Sequence, residues 1–475
     1  MQWMTKNKWI VMGLMLVHFI VCFLYIDSFP IALDEPFSIF HSQKSLPDLW
    51  EVFKNENNPP LHFILLHFWI KWFGTKAMAV RSLSLVFSVL TIPALFKLGK
   101  KITGTHGGIL LVGFFIFSNF HHYHAIEARV YSLFVCLFVW IALDLYHLIF
   151  EQRKRSIWRL LIWNTALLYS HYLAGFVIAC EAVVLIYFYK HLIKKDWINL
   201  FISGALSVVL FIPGIRLWLM RYDAFAENIT WVPDPHWTEL YGNIVRFMNG
   251  KLTYLLIGIL LIMLFFIRWN TLRNHWKMLI TPKNQFVLLF FILTYGGMFL
   301  VSILFKPVFL DRYLLYTSIL VFLLYVVVVE FLLHQKQDYI ALLLLVPMIA
   351  FFDWQPKNNR EPDQMANWIE RGAGEQSVLI CPPFYDLTFI YHHTPEIFTN
   401  PMQKEKLMEE ASIYRLYNGS ELKTVALKDT VYFVNANSKF LYPNNGIKEA
   451  LKAEYNMIKS EEFKGDFSVS QFIRK

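Results

Sequence analysis

The stretch over residues 27–66, DSFPIALDEPFSIFHSQKSLPDLWEVFKNENNPPLHFILL, lies between strongly apolar segments and therefore at a membrane surface. It contains two adjacent carboxylates, Asp34 and Glu35, directly before Pro36. A rigid corner of two asparagines and two prolines follows at 57–60. Two acids at the exit of a first membrane span indicate either a capped helix or a polar site, and we favour the site.

The composition is that of a polytopic membrane protein. Of the 475 residues, 56% are hydrophobic and the mean hydropathy is +0.42, whereas a soluble domain is about 45–50% apolar. Apolar runs near 20 residues recur along most of the chain. The net charge of +9 does not indicate a nucleic-acid partner, because the basic residues fall in short clusters between the apolar runs. The scattered cysteines have neither disulfide nor metal-site spacing.

The apolar runs predict an α-helical fold with about 11 transmembrane helices. The first, over 9–26, follows Lys6 and Lys8 and lacks a small-residue cleavage site, so we interpret it as a span and not as a signal peptide. The run over 60–73 reaches roughly 21 Å, too short for a ~30 Å hydrocarbon core. It is predicted to be an interfacial helix in the first outer loop. Five basic clusters then share one face, which places the N-terminus in the cytoplasm: 97–101, 153–155, 190–195, 268–277 and 334–336.

The composition changes to that of a soluble domain from Trp354 onward. Alternating helical and strand patterns there predict a small α/β domain outside the membrane. The predicted domains are therefore a transmembrane domain over 1–353 and an extracytoplasmic α/β domain over 354–475. The predicted strands are 377–381 and 430–434, and the predicted helices are 363–371, 386–393 and 446–455.

Charged and polar residues from distant parts of the chain share the outer face in this topology. A charge costs about 2.5–3.5 kcal/mol at the centre of a membrane helix and much less at its end. The presence of these charges at helix ends is therefore weak evidence for a site, and their location on one side of the membrane is the stronger evidence. The candidate catalytic residues are Asp34 and Glu35. The candidate substrate-binding residues are Asn58, Glu127, Arg129, Tyr131, His171, Tyr172, Lys306 and Arg312.

Each candidate also has a simpler interpretation. Glu35 before Pro36 fits a helix cap, and Arg129 and Arg312 fit residues that reach toward lipid headgroups. His171 fits an interfacial histidine, and Lys306 fits a loop charge.

Three histidines, His121, His122 and His124, suggest a metal cluster at first sight. No clear carboxylate ligand accompanies them, so a solvated loop is the better interpretation. We assign no metal and no cofactor, since no pattern supports a divalent ion.

Arginines and carboxylates together suit one kind of chemistry. The planar, always charged guanidinium binds phosphate, and a helix start such as that at 125–131 adds its dipole and free N–H groups. A nearby carboxylate accepts a proton from a hydroxyl or amine. This set predicts group transfer from a lipid phosphate to an external acceptor.

Six motifs occur in this order along the chain: LDEPFSIF, NNPPLHFILLHFW, AVRSLSLVFSVLTIPALFKLGKKITG, HAIEARVYSLF, LLYSHYLAGF and PVFLDRYLLYTSILVFLL. Together they resemble the membrane glycosyltransferases of the C-type fold, in the branch that contains protein O-mannosyltransferases and aminoarabinose transferases of lipid A. The resemblance covers roughly residues 9–335, and it implies a polyprenyl-phosphate sugar donor, an outer-face active site and a protein, lipid or glycan acceptor.

By motif position, Asp34 resembles the family's catalytic acid, with Glu35 beside it, and is predicted to be the general base. Arg129 and Arg312 resemble donor-phosphate contacts. His171 and Tyr172 lie where the family has a polar pair near the site.

One position departs from the family pattern. Asn58 stands where the mannosyltransferases carry histidine before the proline pair, which points to the bacterial group and so to the bacterial inner membrane. The expected partners are a polyprenyl-phosphate sugar, an extracytoplasmic acceptor and membrane lipids.

Two other functions remain open at this stage. A transporter or flippase for an anionic lipid-linked substrate would need charges near the bilayer midplane and broken helices, whereas the predicted spans are apolar at their centres apart from Asp144 and Glu181. A non-catalytic membrane scaffold would use the α/β domain to bind a partner.

Overall fold

The computed structural model describes residues 2–475 except 56–57, 221–231, 273–275, 334–337, 355–357, 373–374, 439–441 and 466. Asn57 and the basic clusters around 273 and 334–336 therefore lie wholly or partly outside the described residues. The chain forms two compact units. The first comprises Met1–Tyr25, Glu51–His62 and Arg81–Trp354, and the second comprises Ile26–Trp50, Phe63–Val80 and Gln355–Lys475.

Helices dominate the chain up to residue 354, because a helix satisfies its backbone hydrogen bonds internally in an apolar setting. In chain order they are α1 (Gln2–Phe23), α2 (Glu35–Ser42), α3 (Leu46–Asn55), α4 (Leu61–Phe73), α5 (Ala77–Ile116), α6 (Asn119–Ala125), α7 (Tyr131–Glu151), α8 (Arg155–Leu168), α9 (Ala174–Tyr187), α10 (Lys194–Leu210), α11 (Ile212–Met220), α12 (Thr238–Phe247), α13 (Lys251–Leu272), α14 (Pro282–Phe291), α15 (Gly297–Leu304), α16 (Ser318–Leu333) and α17 (Leu345–Ala350). A π-turn at Ile292–Gly296 joins α14 to α15, and 3-10 turns at Asp311–Thr317 and Asp338–Leu344 precede α16 and α17.

Five helical segments among the described residues are long and apolar enough to cross a bilayer, and α10 with α11, bent by 50°, would make a sixth. Four shorter apolar helices accompany them, including Asn7–Phe23 and Leu61–Phe73. These segments mark the chain as a membrane protein. The first predicted span, over 9–26, overlaps α1, while the number of about 11 crossings stays a prediction.

The long helix α5 is a hairpin of two helical segments. Gly104 has φ +86° and ψ −177°, a conformation open to glycine and outside the helical region. A Cβ on Gly99 would lie 3.0 Å from the Cα of Gly108, and a Cβ on Gly108 would lie 2.9 Å from the Phe96 carbonyl oxygen. In a straight helix these residues would be more than about 10 Å apart. The chain therefore folds back at Gly104, just after the basic cluster at 97–101 that separates two apolar runs.

We expect Gly108→Ala to destabilise the protein, because the new methyl group would meet backbone that cannot move away easily. The expected loss in the free energy of unfolding is about 1–3 kcal/mol, seen as a lower melting temperature of the detergent-purified protein. Gly258→Ala in α13 is the matched control, since its Cβ would meet nothing within 4 Å, and it should change stability by less than about 0.5 kcal/mol. Equal melting temperatures for both variants would contradict the hairpin packing.

The second unit is built on a five-stranded sheet. Its strands are β1 (Gln376–Cys381), β2 (Ile413–Arg415), β3 (Thr430–Ala436), β4 (Tyr455–Phe463) and β5 (Phe467–Arg474). The order is β2-β1-β3-β5-β4, with β1 parallel to both β2 and β3 and β5 antiparallel to β3 and β4. Helices α18 (Pro362–Glu370), α19 (Asp386–His393), α20 (Pro395–Phe398), α21 (Lys404–Glu410) and α22 (Ile447–Glu454) complete it. The predicted α/β character of the C-terminal region is confirmed.

The second unit also contains the first loop of the chain. Helix α2 packs against α19, and the rings of Phe40 and Phe398 meet edge to face with centroids 5.5 Å apart. The Gln43 side chain donates a 3.2 Å hydrogen bond to the Phe398 carbonyl. The segment that follows Asp34 thus packs against helices of the C-terminal region. The predicted domain boundary at 353/354 does not include this grouping.

Candidate functional site

A cleft in the first unit brings together three of the predicted site residues. Tyr131 begins α7, His171 lies in the turn between α8 and α9, and Arg312 lies on the 3-10 turn before α16. The cleft is narrow and partly open to solvent. It is lined by Tyr131, Phe134, Val135, His171, Leu173, Arg312, Tyr313, Leu315 and Tyr316.

His171 is held as a neutral imidazole in this cleft. The Leu173 backbone N–H donates to His171 Nδ1 at 3.2 Å, so the ring proton belongs on Nε2. Its ring meets those of Tyr313 and Phe134, with centroids 5.1 and 5.9 Å away. Burial lowers the pKa of His171 to about 4, and the positive charges of Arg129 and Arg312 add to this. Both guanidinium groups therefore act on the same side chain.

Arg129 is 9% exposed and lies in the turn between α6 and α7. Its backbone N–H donates to the Glu127 carbonyl at 2.7 Å, and its own carbonyl accepts a 3.1 Å hydrogen bond from the Ser84 hydroxyl on α5. These two hydrogen bonds fix the backbone of Arg129 and therefore the point from which its side chain extends.

Glu127 pairs with a histidine in the same turn. His124 Nδ1 lies 2.9 Å from the Glu127 carboxylate, and both side chains are buried. The Ser132 hydroxyl donates to the His124 carbonyl at 2.8 Å, and the His124 ring meets that of Tyr131 at 4.9 Å. Glu127 thereby supports the turn that carries Arg129 and Tyr131.

Arg312 is positioned by its neighbours in the 3-10 turn. Its backbone N–H donates to Asp311 Oδ1 at 2.7 Å, and its guanidinium lies 5.7 Å from the centre of the Tyr313 ring. The Asp311 carboxylate pairs with Arg246 at 2.6 Å. The carboxylate next to Arg312 in sequence is thus engaged by another arginine.

Asp34 and Glu35 lie in the second unit, at the start of α2. Asp34 occupies the N-cap position without a side-chain capping hydrogen bond, and Glu35 is the first helical residue and 1% exposed. Glu35 is therefore not the N-cap residue of α2. The Glu35 N–H donates to the Ala32 carbonyl at 3.2 Å, which closes a turn over 32–35.

The turn before Asp34 holds a strained residue. Leu33 has φ +55°, in the left-handed region that costs a residue with a Cβ about 1–2 kcal/mol. Such strain is found where surrounding contacts force a particular backbone path, and it clusters at functional sites. The assignment of Asp34 and Glu35 to catalysis remains a prediction.

Seven of the ten predicted residues do not line the cleft: Asp34, Glu35, Asn58, Glu127, Arg129, Tyr172 and Lys306. Tyr172 follows His171 in the same turn, and Lys306 follows the end of α15. Asn58 precedes the proline pair, and just beyond it the Leu61 N–H donates to the Tyr169 carbonyl at 2.9 Å. This bond fixes the proline corner to the end of α8, near the His171 turn in sequence.

The histidines of α6 have separate partners. His121 Nε2 lies 2.6 Å from the Ser318 hydroxyl, His122 stacks on Phe352, and His124 pairs with Glu127. Within the described part of the chain, no three potential metal ligands form a group.

Two buried residues near the site were not among the predicted ones. His62 follows the proline pair, and burial together with the charge of Arg129 lowers its pKa to about 3. Arg81, one turn before Ser84 on α5, is 2% exposed. A lone arginine inside an apolar run is a functional candidate by default, so the sequence AVRSL could have identified Arg81 as a candidate site residue. Only the position of His62 shortly after Pro60 could have pointed to that histidine.

The low pKa of His171 predicts a loss of stability in acid. The unfolded chain binds this proton below about pH 6.5, whereas the folded protein binds it only near pH 4, so stability falls as pH falls between these values. His171→Phe keeps the ring contacts and removes the titration. We expect its melting temperature to fall less than that of the wild type between pH 7.5 and 5, by the equivalent of about 2 kcal/mol. Identical acid sensitivity would contradict a neutral, buried His171.

The fold and cleft define a class: a membrane protein of many apolar helices, with a small sheet domain and a basic, aromatic cleft at helix ends. No family model matches the sequence, and no curated protein does. The crystal structure of ArnT from Cupriavidus metallidurans bound to undecaprenyl phosphate matches with a TM-score of 0.59. The two are 11% identical, and the match covers 98% of each chain. The apo state of ArnT matches at a TM-score of 0.46 with the same identity and coverage.

ArnT is a lipid A aminoarabinose transferase with the C-type glycosyltransferase fold. The likeness to its lipid-bound structure shows that the present chain has this fold. The resemblance drawn from the six motifs is thereby confirmed at the level of the fold.

Proposed function

We propose that the protein is a glycosyltransferase that moves a sugar from a polyprenyl-phosphate donor to an extracytoplasmic acceptor. The observation that carries the proposal is the convergence of the Arg129 and Arg312 charges on His171 in one cleft. One guanidinium group in the wall of a part-aromatic cleft, that of Arg312, and a second, that of Arg129, whose charge acts on the same histidine suit a phosphate attached to an apolar chain. ArnT, which has the same fold, binds undecaprenyl phosphate.

The donor phosphate would be held by Arg129 and Arg312. Guanidinium groups form paired, charge-assisted hydrogen bonds with phosphate oxygens. The neutral His171 would add its Nε2–H as a further donor, without carrying a charge of its own. Tyr131 and Tyr313 would provide ring surface beside the sugar or the first isoprene unit.

Asp34 would act as general base on the acceptor. It would take the proton from an acceptor hydroxyl or amine, whose lone pair forms the new bond to the anomeric carbon. The bond from that carbon to the phosphate oxygen breaks as the electron pair leaves with the phosphate. Polyprenyl phosphate is the leaving group, stabilised by the two arginines, and attack from the opposite side inverts the anomeric centre. The negative charge of Glu35, beside Asp34, would make the Asp34 carboxylate a stronger proton acceptor.

The remaining predicted residues would have supporting roles. Tyr172, next to His171, would contact donor or acceptor, and Asn58 would sit at the corner that joins the first loop to α8. Lys306 would add positive charge at the mouth of the site. Glu127 would keep the Arg129 turn in place through His124.

The proposed setting is the bacterial inner membrane. The basic clusters between the helices support a cytoplasmic N-terminus and an active site on the outer face. The domains would be a transferase domain over 1–353 and an extracytoplasmic α/β domain over 354–475.

Deletion of the gene, followed by mass spectrometry of envelope lipids, proteins and glycans, tests this function. We expect one envelope component to lose the mass of one sugar residue, and the corresponding polyprenyl-phosphate sugar to accumulate. Restoration by the wild-type gene is the control. An unchanged envelope with unchanged lipid-linked sugars would overturn the proposal.

A further inference from the structure

A hydrogen bond close to Asp34 joins the first loop to the C-terminal domain. His392, on α19, has its Nε2 2.7 Å from the carbonyl oxygen of Ile31. Ile31 is 1% exposed and His392 is partly exposed, so the bond lies at the edge of the buried region. Ile31 precedes Asp34 by three residues, immediately before the turn over 32–35.

Ion pairs and its connection to the sheet hold helix α19, which carries His392, in place. Its first residue, Asp386, accepts ion pairs from Lys404 at 2.5 Å and Arg415 at 3.4 Å. Arg415 ends β2, and α19 follows β1 after a short 3-10 turn at Pro383–Tyr385. Both strands pair in parallel within the sheet. The position of His392 is therefore set by the sheet.

The loop on the other side of this bond is strained. Leu33 has a positive φ, and the turn closes through the Glu35 N–H and the Ala32 carbonyl. A strained turn persists only when surrounding contacts hold it. Ring packing between Phe40 and Phe398 and the Gln43 hydrogen bond anchor α2 beyond Asp34, while the bond from His392 anchors the chain before it.

We propose that His392 is a positioning residue that holds the Ile31–Asp34 turn in its strained form, so that the α/β domain sets where the Asp34 carboxylate stands. The catalytic consequence rests on the proposed role of Asp34. The domain would thereby act on catalysis through the position of Asp34.

The test compares three variants of the full-length protein in detergent. His392→Phe keeps a ring but cannot donate, and His392→Gln can donate from its amide. His393→Phe is the matched control: its ring stacks on Phe389, and neither of its ring nitrogens has a hydrogen-bond partner among the described residues. Each is assayed for transfer from a polyprenyl-phosphate sugar and for hydrogen–deuterium exchange of the peptide over 29–37.

We expect His392→Phe to speed exchange in this peptide and to lower kcat about 10- to 100-fold, because small displacements of a reacting group cost that much. The KM for the donor should stay within about twofold, since Arg129 and Arg312 are unchanged. His392→Gln should recover most of the rate, and His393→Phe should match the wild type.

The positioning role is overturned if His392→Phe leaves either exchange or kcat unchanged, or if His393→Phe falls as far. If the wild-type protein turns over no polyprenyl-phosphate sugar, the proposed function fails instead. The exchange rate, which needs no substrate, then decides whether His392 holds the turn.

Discussion

Asp34→Asn should lower kcat for sugar transfer by about 10²–10⁴-fold, the range expected when a general base is lost. The amide keeps the size and the place of the carboxylate at the start of α2 but cannot accept the acceptor's proton. The KM for the lipid-linked donor should change little, because the donor phosphate is proposed to bind elsewhere. The measurement is a steady-state transfer assay with a polyprenyl-phosphate sugar.

Asp48→Asn is the matched control for this change. Asp48 is a partly exposed carboxylate on α3 that accepts a hydrogen bond from the Ser45 hydroxyl, so its loss should leave kcat within about twofold of the wild type. An Asp34→Asn protein that transfers sugar at the wild-type rate would remove Asp34 from the mechanism. Glu35→Gln would then be the next variant to examine.

Arg312→Ala should reduce kcat/KM for the donor by about 10²–10³-fold, since the loss of a charged partner in a desolvated site costs about 2–5 kcal/mol. Arg312→Lys should recover only part of this, because an ammonium group cannot form the paired hydrogen bonds of a guanidinium. Inhibition by added undecaprenyl phosphate should weaken in parallel, as expected for a group that contacts the phosphate shared by donor and product.

Arg153→Ala serves as the control for charge removal. Arg153 is half-exposed and pairs with Glu151 at 2.6 Å, and it lines no part of the cleft. Its loss should leave both kcat/KM and product inhibition near the wild-type values. If Arg312→Ala reduced turnover without any change in inhibition by undecaprenyl phosphate, the proposed phosphate contact would be wrong.

The helices could be predicted from the sequence because lipid-facing segments are long and uniformly apolar. The basic cluster at 97–101 divided two of them correctly, and Gly104 supplies the physical reason for the turn. In the sheet domain, β1 and β3 were found because they are buried runs of β-branched and aromatic residues. Strand β4 was missed because its outer residues are charged and exposed, and β2 because it has only three residues.

The site was only partly predictable. Tyr131, His171 and Arg312 were grouped by their common membrane side, and one cleft contains all three. The pairing of Glu127 with His124 and the burial of His62 depend on how a turn packs, which no local pattern encodes. The union of the Asp34 loop with the C-terminal sheet joins segments over 300 residues apart, as between Ile31 and His392.

The most direct measurement uses purified wild-type protein in lipid vesicles with an undecaprenyl-phosphate-linked sugar and an envelope extract as acceptor. The account predicts release of free undecaprenyl phosphate together with a labelled acceptor, and formation of both at least about 100-fold more slowly with Asp34→Asn. Movement of the intact lipid-linked sugar across the vesicle membrane, with no cleavage of the bond between sugar and phosphate, would contradict it.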